Sequence, residues 1–276
     1  MKRILVPIDF SKEAENAAKI AARIAKKTGS TIYLLHMLEL PASTIEPYEM
    51  TSIRSEPQII YFMTLAHKKF DRFKKLPFFD GIKIVESVQF HYAFAGIISE
   101  SKKNKIDLIV MGSQGASGLQ EMFIGSNTEK VVRQSEVPVL VIKKENENFD
   151  INNIVFASDF NEESKKTFQN VLDFAKLFNA KIRLLYVNTI HNFSTTKDIE
   201  NKVESFIEGF EMGKYTRRIY NDISIEKGIL SYGRDIEADL IALNTHGRSG
   251  LSQLFNGSIG QELANHALRP VITFKI

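Results

Sequence analysis

The chain has 276 residues, 43% of them hydrophobic, which is enough for one large domain or two ordinary ones with real cores. Its 36 basic and 33 acidic side chains leave a net charge of +3, too even a balance to mark a nucleic-acid binder, and the absence of cysteine excludes disulfides, thiolate metal sites and cysteine nucleophiles. The opening "MKRILVPIDF" carries two basic residues, but Pro7 and Asp9 interrupt its apolar run, unlike a signal segment, and no run approaches the roughly 18–20 apolar residues of a membrane span. The expectation is a soluble, cytoplasmic protein that binds neither membrane nor nucleic acid.

In chain order, a β-branched run over 3–8 predicts a first strand, ending just before Asp9. A helix follows, with Ala14, Ala17, Ala18, Ala21, Ile24 and Ala25 on one side at 3.6-residue spacing and Glu13 and Glu15 in its first turn, where the macrodipole favours anions. A second strand is predicted over 31–37, and the stretch "PASTIEPYEMTSIRSEP" reads as a surface loop. The next helix carries Phe62, Leu65, Ala66, Phe70 and Phe73 as a core stripe, and its basic run "HKKFDRFKK" reads as the solvated side. Strands over 83–90, 107–111 and 138–143 complete the pattern, and "KENENFD" at 144–150 reads as a linker.

The remainder repeats this unit. "RILVPIDFSKEAENAAKIAARIAKKTGSTIYLLHM" at 3–37 is echoed without gaps at an offset of 150, and "DLIVMGSQGASGLQEMFIGS" at 107–126 is echoed by "DLIALNTHGRSGLSQLFNGS" at 239–258. The first copy is longer by 18 residues between these blocks. In the second copy Val203, Phe206, Ile207 and Phe210 answer the aromatic stripe. Alternating strands and helices in each copy predict an α/β fold, two tandem doubly wound parallel sheets, with domains at 1–145 and 150–276. The closing runs "VPVLVIK" and "RPVITFK" are edge strands whose open backbone groups predict that they pair with each other.

Parallel sheets bind ligands beyond the carboxyl ends of their strands, where the strand order reverses. Asp9, Met37 and Gly112 each follow an apolar run and fall at such an end. Glycines after the strand allow close backbone approach, and the helix start at "GSNTEKVVRQ", with Ser126 or Asn127 as N-cap, offers free N–H groups to an anion. The spacing matches neither a Walker loop nor the G-x-G-x-x-G dinucleotide turn. Each residue also has a purely structural reading: the glycines as turn formers, Asp9 as a cap, and His36, inside a strand, as a satisfied core or interface histidine.

With Gly112, Gly115, Gly125 and Ser126 the sequence matches Gly-x2-Gly-x9-Gly-Ser/Thr, and together with "VPIDFS" at 6–11 and "VPVLVIK" at 137–143 it resembles a tandem universal stress protein over nearly its whole length. The resemblance implies five-stranded units of order 3-2-1-4-5, paired pseudo-twofold through their last strands. It also implies an adenine nucleotide, ATP or else AMP or ADP, with or without Mg²⁺, and no dedicated metal site. The implied set is Pro7, Ile8, Asp9, Met37, Met111, Gly112, Gln114, Gly115, Gly125, Ser126, Asn127 and Thr128. Asp9 would face the ribose or a metal, the backbone at Met37 the adenine, and the 112–128 segment the phosphates. A second, weaker set is Ser158, Asp159, Val187, Asn244, His246, Gly247, Gly257 and Ser258, in which Asn244 replaces the first glycine and would crowd the phosphates.

No Walker lysine, H-E-x-x-H or Gly-x-Ser-x-Gly motif is present, and no catalytic residue is assigned. ATP held without a positioned base or lysine turns over slowly at most. The expected function is a stress-response or regulatory nucleotide-binding module with a protein partner the sequence does not name. The alternatives are a slow ATPase or phosphotransferase and a nucleotide-free interaction scaffold. Self-association of the whole chain is left open.

Overall fold

A computed structural model describes residues 1–38, 52–90, 92–113, 126–143, 149–245, 267 and 269–276. They form two compact units, Met1–Gly112 and Ser113–Ile276.

The first unit runs β1 (Arg3–Pro7), α1 (Lys12–Thr28), β2 (Thr31–Leu38), α2 (Ser52–Phe73), a 3₁₀ turn (Pro77–Phe79), β3 (Ile84–Phe90), α3 (Ala93–Lys103) and β4 (Leu108–Gly112). Its strands are parallel in the order β3-β2-β1-β4, with Ile4 beside both Ile32 and Leu108. The buried strand residues Ile4, Leu5, Val6, Ile109 and Val110 are inaccessible to solvent, as befits strands covered on both faces. The alanine face of α1 is buried as its spacing predicts, with Ala17, Ala18 and Ala21 fully enclosed. Ser11 caps this helix, accepting from the Ala14 N–H at 3.2 Å, and Gly29 ends it at φ 68°, a left-handed conformation that glycine adopts without strain.

The second helix departs from expectation. It begins at Ser52, so the last residues of the stretch read as a loop are helical, with Pro57 inside the first two turns. Its apolar stripe is buried only from Ala66 through Phe70 and Phe73, while Phe62 and Leu65 are 37% and 40% exposed. A helix of 22 residues rises about 33 Å, longer than the strands it covers, so its N-terminal half has less sheet to pack on.

The second unit contains α4 (Ser126–Gln134), β5 (Val139–Ile142), β6 (Asn153–Ala157), α5 (Glu162–Phe178), β7 (Lys181–Asn188), a 3₁₀ turn (Ile190–Asn192), α6 (Thr196–Ile207), β8 (Tyr215–Asn221), α7 (Ile225–Asp235), β9 (Leu240–Thr245) and β10 (Val271–Lys275). The second copy shows the order 3-2-1-4-5 in full, as β8-β7-β6-β9-β10, all parallel. The last strand of the first copy, β5, pairs antiparallel with β10, the edge-strand pairing that the sequence predicts. The register places Leu140 opposite Ile272, which are equivalent positions of the repeat, with Val139 opposite Thr273 and Val141 opposite Val271. A local dyad therefore passes through the Leu140–Ile272 pair. In α6, Val203, Phe206 and Ile207 are buried as expected, whereas Phe210 lies beyond the helix end and is half-buried.

Candidate functional site

In the first unit, β1 and β4 are neighbours at the point where the strand order reverses, so Asp9 just after β1 and Gly112 at the end of β4 border the crevice expected of such a sheet. Met37 lies near the end of β2. Pro7 is the last residue of β1, and Ile8 is buried, its N–H donating to the Leu35 carbonyl at 2.8 Å. Met111 is buried inside β4. Asp9 itself is exposed, with its Oδ1 accepting from the Ser11 N–H at 2.9 Å.

The turn that presents Asp9 stores strain. Phe10 has φ 66°, a left-handed conformation unusual for a bulky residue, and its counterpart Phe160 has φ 54°. Aromatic packing holds both: the Phe10 ring lies 4.8 Å from His36, 5.4 Å from Phe70 and 5.8 Å from Phe73, while Phe160 packs on Phe206 at 5.2 Å. Lys69 sits over the Phe10 ring at 5.4 Å. Nothing in the local sequence signals this conformation. The recurrence of Asp-Phe in both copies is the one clue.

His36 supports the same turn. Its Nδ1 lies 2.8 Å from the Ile8 carbonyl, an acceptor only, so Nδ1 carries the proton and donates. Burial holds its pKa below the ordinary value of 6.5, the Ile8 bond opposing, with Lys69 lowering it further and Asp9 opposing. His36 is a satisfied structural histidine beside the site.

Gly112 and Gly96 are needed for packing. A Cβ on Gly112 would stand 2.5 Å from the Glu13 carbonyl oxygen, so a side chain there would push α1 off β4. A Cβ on Gly96 would stand 2.5 Å from Met37 Sδ, so this glycine gives the Met37 side chain its berth. Sequence reasoning missed Gly96; its counterpart Gly228 takes Val187 in the same way, with a Cβ 2.5 Å from Val187 Cγ1.

Gln114, Gly115 and Gly125 lie outside the described residues. Ser126, Asn127 and Thr128 open α4 in the second unit, so Ser126 is the first helical residue rather than a residue before the helix; Thr128 is buried.

The second copy brings Ser158, Asp159 and Val187 together around a cleft that also involves Asn192, Ile225 and Ile229. Here the polar groups satisfy one another. Ser158 Oγ accepts from the Phe160 N–H at 2.9 Å, and the Asp159 carboxylate, 7% exposed, accepts from Asn161 Nδ2 at 2.9 Å and Ser164 Oγ at 3.4 Å. The Asn244 side chain is engaged within the second unit. It is buried against α5, with Oδ1 accepting from Thr167 Oγ1 at 3.0 Å and Nδ2 donating to the Ser164 carbonyl at 3.4 Å. The first copy has alanine at the equivalents of Ser164 and Thr167, namely Ala14 and Ala17, and glycine, with the main chain of α1 against it, at the equivalent of Asn244. His246, Gly247, Gly257 and Ser258 lie outside the described residues. Among the described residues no group of three or more His, Asp or Glu side chains could hold a metal, and no helix is long and apolar enough to cross a membrane.

Known proteins resemble this chain in sequence and in fold. The model of the universal stress protein family matches residues 1–143 and 216–275. A universal stress protein of Methanocaldococcus jannaschii is 30% identical over 145 residues, covering 52% of this chain and 82% of its own. One from Synechocystis is 24% identical over 298 residues, covering both chains end to end. Among solved structures, a universal stress protein from Archaeoglobus fulgidus shares the fold with a TM-score of 0.77 at 21% identity, covering 99% of this chain and 98% of that one.

Proposed function

We propose that this chain, which belongs to the universal stress protein family, binds an adenine nucleotide at its first copy and acts as a regulatory module in the stress response. The observation that carries the reading is the exposed Asp9 carboxylate at the strand-order reversal, bordered by Gly112, in a chain whose next residues continue the Gly112-x2-Gly115-x9-Gly125-Ser126 motif. The carboxylate accepts from the ribose hydroxyls, the main chain at Met37 reads the adenine edge, and the amides of Gly115 and Gly125 with the Ser126 hydroxyl take the phosphates. Pro7, Ile8 and Met111 form the apolar surround, and Gln114, Asn127 and Thr128 complete the phosphate end. The repeat copies 1–145 and 150–276 are the functional modules, and the module works in the cytoplasm.

ATP, ADP and AMP all fit this description, and Mg²⁺ enters only with the phosphates. A nucleotide held in this way supplies charge and shape to a partner. The sequence offers no positioned base or Walker lysine for rapid transfer, so hydrolysis is slow at most. Purified protein, denatured with acid and spun, should release adenine nucleotide detectable by ion-exchange chromatography in amounts comparable with the protein. A supernatant free of nucleotide, together with no uptake of added ATP, would leave the scaffold reading in its place.

A further inference from the structure

We infer, resting on the nucleotide reading above, that the second copy's strand-end cleft is shut by its own chain through Asn192, so that each chain takes one nucleotide, at the first copy. The space left between Ala157, Ser158, Asp159, Val187, Asn192 and Ile229 is ≈ 10 Å³, room for about one water molecule and none for a purine.

Asn192 lines this cleft beside Val187. Its Oδ1 accepts from the Thr189 N–H at 2.8 Å and from the Thr189 hydroxyl, and its Nδ2 donates to the Val187 carbonyl at 3.3 Å. Val187 is the counterpart of Met37, the position assigned to the adenine edge, so a main-chain acceptor of the second copy is already used from within. The ribose end is used as well. Asp159 is buried and bonded to Asn161 and Ser164, whereas Asp9 is exposed and has Ala14 where the second copy has Ser164. A ligand entering the second copy would have to break these bonds before making its own, and a buried polar group left unpaired is unfavourable.

The turn bearing Asn192 is held by polar bonds with its apolar residues facing out. Asn188 and Ser194 bond to each other twice, Ser194 N–H to Asn188 Oδ1 at 3.0 Å and Asn188 Nδ2 to the Ser194 carbonyl at 3.3 Å. Ile190 and Phe193 meanwhile stand 85% and 72% exposed. Apolar burial therefore does little to hold Asn192 in the cleft, and Asn192→Ala removes its bonds to Thr189 and to the Val187 carbonyl and clears its side chain from the cleft.

The test is calorimetric titration of ATP into the full chain and into Asn192→Ala, with thermal melts confirming that both fold. The expected stoichiometry is one per chain for the unaltered protein and two for the variant. Two events in the unaltered protein, or a stoichiometry that Asn192→Ala does not raise, would overturn the inference. If the unaltered chain binds none and the variant binds one, the closure stands and the first-copy reading falls. Photolabelling of the unaltered chain with 8-azido-ATP gives a check that needs no variant: label on peptides from 181–195 would overturn the closure, and its absence there supports it.

Discussion

A Cβ on Gly112 would lie 2.5 Å from the Glu13 carbonyl oxygen, so the first glycine of the Gly-x2-Gly-x9-Gly-Ser motif is the point where α1 rests on β4. Because both neighbours are main chain, neither can turn aside, and Gly112→Ala should shift the helix and destabilise the protein by about 1–3 kcal/mol. The converse change in the second copy, Asn244→Gly, gives up the bonds to Thr167 and the Ser164 carbonyl and leaves a gap. It should also destabilise, by about 1–2 kcal/mol. Urea unfolding of both variants checks this; a neutral Gly112→Ala would mean that α1 does not press on β4.

The strand pair at the local dyad makes a second prediction. Leu140 and Ile272 are fully buried and face each other across an antiparallel pair, where opposite side chains touch. Each change to alanine should cost about 2–5 kcal/mol. In the double variant the costs should depart from additivity by about 0.5 kcal/mol or more, because each residue packs on the other. Strictly additive unfolding energies would speak against this register.

A third concerns pH. His36 is held below its ordinary pKa of 6.5 mainly by burial, so the unfolded chain takes up its proton more readily than the folded one. The stability contributed by the neutral ring is complete above about 6.5 and is lost as pH falls from there toward the folded-state value. His36→Asn keeps a donor for the Ile8 carbonyl without titrating. The difference in unfolding free energy between the two proteins should change in the variant's favour as pH is lowered from 7 to 5. A constant difference would show that His36 is not buried neutral.

Much of this architecture was legible from residue spacing alone. The duplication, the strand ends that carry Asp9 and Met37, the alanine face of α1 and the pairing of the closing strands all follow from short-range periodicity and from the offset between copies. Other features depend on contacts remote in sequence. Phe10 adopts a left-handed conformation because Phe70, Phe73 and His36 enclose its ring, and no local preference announces it. The bonds of Asn244 to Thr167 and the Ser164 carbonyl likewise depend on α5, 77 and 80 residues away in the chain. Asn192 belongs to a turn without a counterpart in the aligned blocks, and its role rests on where β7 delivers it. The exposed half of the α2 stripe shows the converse limit, since periodicity gives a helix its apolar face but not the length of sheet available to cover it.

Asp9→Ala should weaken nucleotide binding without abolishing it. Loss of one hydrogen bond to a charged group costs about 1.5–3 kcal/mol, roughly a 10- to 150-fold rise in Kd. The carboxylate is exposed, so the variant should melt within a degree or two of the unaltered protein. Calorimetry with ATP and a parallel melt check both halves, and an unchanged Kd would remove Asp9 from the site.

The most direct measurement is ATP titration of the unaltered chain against Gly115→Val and Gly125→Val, since a side chain at either glycine would occupy the path assigned to the phosphates. The unaltered chain should bind, and both variants should lose that binding while keeping the far-UV circular dichroism and melting behaviour of the parent. Equal affinity in all three proteins, or no binding by the unaltered chain, would contradict the assignment of an adenine-nucleotide site to the first copy.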